Sequence, residues 1–201
     1  MKIAFDIDDT IYDTDRVSKI LLDVAREEAK GKVFEDRATE LGYIFALYNR
    51  LRENSDVWFM PCCVMQENVA ELEKFRDTHE DIHLCILTAR IQELYLYHKM
   101  LSETNINISD DEIYQGEQGK TKAMLCVEND IDVLIDDSMS NLKEHISYAR
   151  ENENYNTLYI LYKNPKLEKL GFYTELSKMS NMSNVKIMQD WSELEGILSQ
   201  R

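Results

Sequence analysis

Two rhythms of hydrophobic and polar residues alternate along the chain. Short, nearly continuous apolar runs occur at Ile3-Ala4-Phe5, Ile82-His83-Leu84-Cys85-Ile86-Leu87, Ile131-Asp132-Val133-Leu134-Ile135 and residues 157–162. Runs of this length with little polar alternation suit strands covered on both faces of a parallel sheet. Ile113-Tyr114 and residues 185–188 add a short and a weaker strand. Between these runs the spacing changes to three and four. Val17, Ile20, Leu21, Val24 and Ala25 form one helical stripe, and Leu41, Ile44, Phe45, Tyr48 and Leu51 a second, with Gly31 between them as a helix stop. Further helices are predicted from Pro61 through Met65, Val69, Leu72 and Phe75, around Leu94, Tyr97 and Leu101, over residues 120–128, through Met139, Leu142, Ile146 and Ala149, and over residues 191–198. These stripes are read as core.

Strands alternating with helices imply an α/β fold, a Rossmann-like doubly wound parallel sheet with right-handed crossovers. Residues 14–59 contain no strand signal and read as a small helical insert. The predicted organisation is therefore a core of residues 1–13 and 60–201, with a helical cap of residues 14–59 inserted after the first strand.

In open parallel sheets ligands sit beyond the carboxyl ends of the strands, and the polar residues follow that rule. Asp6-Ile7-Asp8-Asp9-Thr10 ends the first apolar run, Thr88-Ala89-Arg90 the second, and Asp136-Asp137 another. Several strands thus deliver carboxylates and a hydroxyl to one edge. Like charges this close resist simultaneous ionisation. The cluster is therefore either a solvated acidic turn or a cation site. An EF-hand loop is excluded, because the sixth and twelfth positions from Asp6 are Ile11 and Val17. Carboxylates from two strands are the hard oxygen donors that Mg²⁺ takes together with water and substrate phosphate. Asp6 would then serve as an ionised nucleophile and Asp8 as a second acid that moves protons. Thr88 would donate to a phosphoryl oxygen, helped by N–H groups at the start of the next helix. The remaining charge calls for a lysine, either Lys122 or Lys120.

Composition narrows the partners. A net charge of −15 argues against nucleic-acid polymers and anionic membranes, because binding phosphate backbones needs clustered Lys and Arg. No stretch approaches the roughly 20 apolar residues of a membrane span, and Met1-Lys2 leads into a strand instead of a signal sequence. Cys62, Cys63, Cys85 and Cys126 show neither a Cys-x-x-Cys pair nor zinc-ligand spacing, which predicts a reducing, cytoplasmic setting.

Asp6-x-Asp8-Asp9-Thr10-Ile11, Leu87-Thr88-Ala89-Arg90, a lysine at a helix start and Leu134-Ile135-Asp136-Asp137-Ser138 resemble, in order, the four motifs of haloacid dehalogenase-like (HAD) phosphatases. The resemblance spans nearly the whole core and puts the insert in the cap position. It implies that Asp6 forms an aspartyl-phosphate and that Asp8 is the general acid and base, also lending its backbone carbonyl to Mg²⁺. It implies further that Asp136 binds the metal, with Asp137 assisting, and that Thr88, Ala89 and Lys122 receive phosphate. Within that superfamily, the Ile-Asp-Asp-Ser and Leu-Thr-Ala-Arg motifs, the small cap and Gln189-Asp190-Trp191-Ser192-Glu193 are most similar to the 5′(3′)-deoxyribonucleotidase-like (type C 5′-nucleotidase) group.

The resemblance implies a Mg²⁺-dependent phosphomonoesterase acting on a small phosphorylated metabolite, with nucleoside 5′-monophosphates, deoxy forms included, as leading substrates. The alternatives are a sugar or polyol phosphate, an idle binding protein, or a transferase with another acceptor. Each residue also has a plainer reading: Thr88 and Asp137 as helix caps, Arg90 as either a substrate contact or a partner of surface acids, Asp13 and Asp15 as helix-start acids, and Trp58 and Phe59 as packing instead of base stacking.

Overall fold

The computed structural model describes residues 1–176 and 184–200. Six strands form one all-parallel sheet in the order β3-β2-β1-β4-β5-β6, from β1 (Lys2–Phe5), β2 (His83–Thr88), β3 (Ile113–Gln115), β4 (Val133–Asp136), β5 (Leu158–Tyr162) and β6 (Val185–Met188). The helices are α1 (Thr14–Ala29), α2 (Arg37–Glu53), α3 (Ser55–Trp58), α4 (Gln66–Thr78), α5 (Leu94–Leu101), α6 (Lys122–Glu128), α7 (Met139–Glu151), α8 (Pro165–Lys169) and α9 (Leu194–Leu198). This is the doubly wound Rossmann-like arrangement that the strand rhythm predicts.

Both faces of the sheet are covered, which is why its inner strands carry no polar alternation. On one face Ile3, Phe5, Leu84, Ile86, Val133, Ile135 and Ile160 pack against residues of α1, α4, α5 and α9. On the other, Ala4, Cys85, Leu87, Leu134, Tyr159 and Leu161 meet Leu125 and Cys126 of α6 and Leu142 and Ile146 of α7. Successive residues alternate between the two clusters, as the two-residue period of a strand requires.

The register sets the working edge. Phe5 pairs with Ile86 on one side and Ile135 on the other. The Asp6 N–H continues the ladder to the Ile135 carbonyl at 2.9 Å. Asp6 and Asp136 therefore leave adjacent strands side by side, at the point where the strand order reverses direction and a crevice opens.

Several helix limits differ from the sequence reading. Pro61–Cys63 is a separate 3₁₀ turn, and the helix starts at Gln66. Lys120 lies outside α6, whose N-cap is Thr121. The short helix α8 was not predicted. Not every stripe is core either: Val24, Leu41 and Phe45 are exposed, and Ile44 is the one fully buried residue of α2. The outer parts of α1 and α2 share only a small cluster around Ala25, Ala29 and Ile44, whereas Val17 and Leu21 join the main core. Amphipathic spacing shows which face a helix turns inward but not how much of that face is covered. Among the described residues no helix is long and apolar enough to cross a membrane.

On the second face of the sheet, α7 carries the buried His145, whose ring nitrogens reach Tyr155 Oη at 2.9 Å and Asn184 Nδ2 at 3.1 Å. Burial pushes its pKa down to about 4, so the fold holds the neutral ring. Stability is retained above the ordinary histidine value near 6.5 and is lost as pH falls towards 4, because only the unfolded chain takes the proton. At pH 5 this costs about 2 kcal/mol. Measured by urea unfolding, the stability of the native protein relative to His145→Gln is expected to fall by about 2 kcal/mol between pH 7 and pH 5, since every other titrating group is common to the two proteins.

Candidate active site

The chain after β1 folds back on itself. The Ile7 carbonyl accepts the N–H groups of Thr10, Ile11 and Tyr12, at 3.3, 3.0 and 2.9 Å. Asp9 takes a left-handed conformation, with φ at 56°, which aspartate tolerates better than most residues. Its Oδ1 accepts the Thr14 hydroxyl at 2.7 Å, and its carbonyl accepts Asn164 Nδ2 at 2.6 Å. Asp9 is a loop residue. Asp13 caps α1 by accepting the Arg16 N–H at 2.9 Å, and it also pairs with Lys166.

At the crevice, Asp6, Asp136 and Asp137 bring one carboxylate oxygen each to within 4.8 Å of one another, and all three residues are buried. Lys122, at the head of α6, enters between two of them. Its Nζ lies 2.7 Å from Asp136 Oδ2 and 2.9 Å from Asp6 Oδ1. Asp136 is satisfied further by the Ser138 N–H at 2.7 Å and Asn141 Nδ2 at 2.8 Å. Asp137 accepts the Thr10 hydroxyl at 3.0 Å. It does not cap α7, since Ser138 does that. Lys120 instead pairs with Glu117 and Glu128 at 2.8 and 2.6 Å.

The charges do not balance. Three carboxylates face one ammonium, and Asp6 Oδ1, although in ion-pair range of Lys122, makes no hydrogen bond. Burial raises the pKa of Asp6, and the charge of Asp136 adds to the rise while Lys122 opposes it. Asp137 is pushed up to about 8, first by burial and then by Asp136 and Asp6. Lys122 is held firmly protonated by its two acidic partners against the effect of burial. An all-oxygen donor set with excess negative charge and an oxygen lacking a hydrogen bond fits a hard divalent cation. Asp137 belongs to this set as fully as Asp136 does. The Asp8 side chain lies outside it, held by Arg90.

Thr88 is buried at the end of β2, and its Oγ1 accepts the Arg90 N–H at 3.2 Å. It does not cap a helix. The next helix, α5, begins only at Leu94, so the expected helix N–H groups do not stand beside Thr88. What shapes this loop is Gly116. A Cβ there would fall 2.7 Å from the Ala89 carbonyl oxygen, so only glycine lets the loop that follows β3 approach so closely. A cavity of about 350 Å³ opens here, lined by Thr88, Ala89, Gly116, Lys120, Lys122 and Asn141 among others. Sequence reasoning passed over Thr10, Asn141 and Gly116. Asn141 was open to inference as an amide in the first turn after the Asp136-Asp137 strand end, while Gly116 carries no local signal.

No family model matches the sequence, and no curated protein matches it. Solved structures do resemble it in fold. CbbY from Rhodobacter sphaeroides, in complex with phosphate, aligns over 96% of this chain and 95% of its own at 14% identity and a TM-score of 0.52. A hydrolase from Pseudomonas syringae aligns over 100% and 98% at 12% identity and 0.52. A haloacid dehalogenase-like family hydrolase from Xanthomonas campestris aligns over 100% and 95% at 12% identity and 0.51. The likeness is one of fold: the chain has the α/β Rossmann-like fold of HAD-like proteins.

Two expectations follow from the buried charges. Lys122→Met in metal-free protein should lower stability by about 3–5 kcal/mol, because two buried carboxylates lose their counter-charge, whereas Lys120→Met should leave urea unfolding nearly unchanged. Because Asp6 and Asp137 have raised pKa values, cation binding must displace protons. The rise in melting temperature on adding Mg²⁺ is therefore expected to be larger at pH 8.5 than at pH 6, and to be abolished in Asp136→Asn.

Proposed function

We propose that this protein is a HAD-family phosphomonoesterase that uses Mg²⁺ and an aspartyl-phosphate intermediate. The observation that carries this reading is the buried Asp6-Asp136-Asp137 cluster with the Lys122 ammonium set into it, at the topological switch point of the sheet. The structural neighbour described in complex with phosphate has the same fold and supports a phosphoryl ligand at this edge.

In this reading Asp6, Asp136 and Asp137, with the Asp8 backbone carbonyl, hold the metal. When bound, the cation supplies charge neutralisation that lets an anionic ester approach a carboxylate nucleophile. An Asp6 oxygen bonds to phosphorus as the bond to the leaving oxygen breaks, and Asp8, in its acid form, gives that oxygen a proton. The Asp8 carboxylate then takes a proton from the water that attacks phosphorus, which releases Asp6 and inorganic phosphate. Lys122 and Thr88 hold the phosphoryl oxygens, with Ala89 supplying a backbone contact. Nucleoside 5′-monophosphates are the leading substrates, on the motif resemblance, and sugar or polyol phosphates the second class. Trp58 and Phe59 are 5% and 1% exposed and so are packed instead of open to stack on a base, which favours giving the second class equal weight in any screen. Helices α1 and α2 act as the cap.

A panel of nucleotide and sugar phosphates, assayed with and without Mg²⁺, is expected to show metal-dependent phosphate release. Asp6→Asn should retain the circular-dichroism spectrum and lose at least about 10³-fold in turnover. Full activity in that variant would sink the mechanism.

A further inference from the structure

The proposed chemistry leaves Arg90 without a task. Its place next to Thr88 and Ala89 suggests a phosphate clamp, but its side chain is already engaged. Nε and Nη2 donate to the two oxygens of Asp8 at 2.5 and 2.8 Å, a bidentate pair only about a quarter exposed on each side. Two hydrogen bonds from a planar fork fix the orientation of a carboxylate as well as its position, which a point charge cannot do.

The fork is itself supported. The guanidinium carbon lies 5.1 Å from the Trp58 ring centroid and 5.8 Å from that of Phe59, within the range of cation–π attraction. Phe59 meets Tyr97 edge-on at 5.5 Å and stacks near Tyr12 at 6.2 Å. The Tyr12 hydroxyl donates to the Trp58 carbonyl and accepts the Met60 N–H at 2.7 Å. The backbone of Arg90 is held as well: its N–H reaches Thr88 Oγ1, and its carbonyl accepts the Tyr97 hydroxyl at 3.3 Å. Every link from the aromatic floor to the Asp8 carboxylate is thus a specific contact.

We propose that Arg90 is a positioning residue for the Asp8 carboxyl group, with Trp58 and Phe59 as the platform for its guanidinium: one fork bond keeps the group in place while the other oxygen carries the proton for the leaving group. This rests on the phosphatase reading above, with Asp8 as the proton carrier. It assigns the aromatic pair a use other than base recognition. It also ties proton delivery to the segment that ends the helical insert, because Trp58 closes α3.

Leaving groups provide the test. p-Nitrophenolate departs without help from a proton, whereas an alkoxide such as that of β-glycerol phosphate needs one. Arg90→Lys is expected to lower kcat/KM for β-glycerol phosphate by about 100-fold and for p-nitrophenyl phosphate by less than about 5-fold. Trp58→Leu should give the same selective pattern with a smaller loss, of about 5-fold on the alkyl ester, and little further loss in the Arg90→Lys background. Equal losses on both esters would overturn the proposal alone, since they describe a phosphate clamp or a general structural role. Wild-type protein that releases phosphate from neither ester nor from any member of the nucleotide and sugar phosphate panel would remove the phosphatase reading and this proposal with it. A second measurement needs no turnover. Asp8→Asn and Arg90→Gln should shift tryptophan emission alike, and neither should do so in a Trp58→Phe background. Unchanged emission in Asp8→Asn would show that Asp8 does not hold the guanidinium against the indole, and would likewise overturn the proposal.

Discussion

One ammonium group, that of Lys122, makes the crevice tenable. It sits between Asp6 and Asp136, the first residue past β1 and the last of β4, strands that the register places side by side. Three carboxylates within a few ångströms of one another would repel strongly in so buried a place. A single fixed cation relieves part of that repulsion and leaves the remainder as a standing attraction for a second, mobile one. Helix α6 begins at this lysine, with Thr121 as its cap accepting the Met124 N–H at 3.3 Å, so the start of the helix and the position of the charge are set by the same turn. A buried pair of this kind contributes little net stability. Its value lies in the electrostatic field it leaves.

Around that field the polar network divides in two. On one side Asp136 is tied to Lys122, Ser138 and Asn141, and Asp137 to Thr10. These bonds fix the carboxylate oxygens of the buried cluster. On the other side Asp8 is turned out of the cluster and held by Arg90 against aromatic rings. Asp6 and Asp8, two residues apart in the sequence, therefore occupy different environments, one beside Lys122 and the other against Arg90.

Much of this could be read from the residues. Apolar runs ending in Asp6, Thr88 and Asp136 located both the strands and the edge at which these polar side chains gather, because a parallel sheet buried on both faces has little room for them within it. Of the two candidate lysines, Lys122 pairs with Asp6 and Asp136, and Lys120 with Glu117 and Glu128. The rest depends on distances that no local pattern encodes. Spacing alone could not tell that Val24, Leu41 and Phe45 would face solvent, since that depends on what packs above them. Nor could it show that Arg90 would turn to Asp8, that Gly116 would press against Ala89, or that Thr88 would stand well ahead of α5 instead of at its start. Each of these is a contact between segments that meet only in the folded chain.

The amide of Asn164, bonded to the carbonyl of Asp9, joins positions 155 residues apart. β1 also depends on chain far beyond it, since it lies in the middle of the sheet and needs both β2 and β4 to complete its ladders. The acidic loop is made well before β5, yet its bond to Asn164 cannot form until the chain has been made beyond that strand. Contacts of such separation slow folding. During synthesis the nascent chain therefore carries Asp6, Asp8 and Asp9 as ordinary solvated carboxylates, with ordinary affinities for ions. The cluster can assemble only when β4 and the segment after β5 close around β1 and its loop.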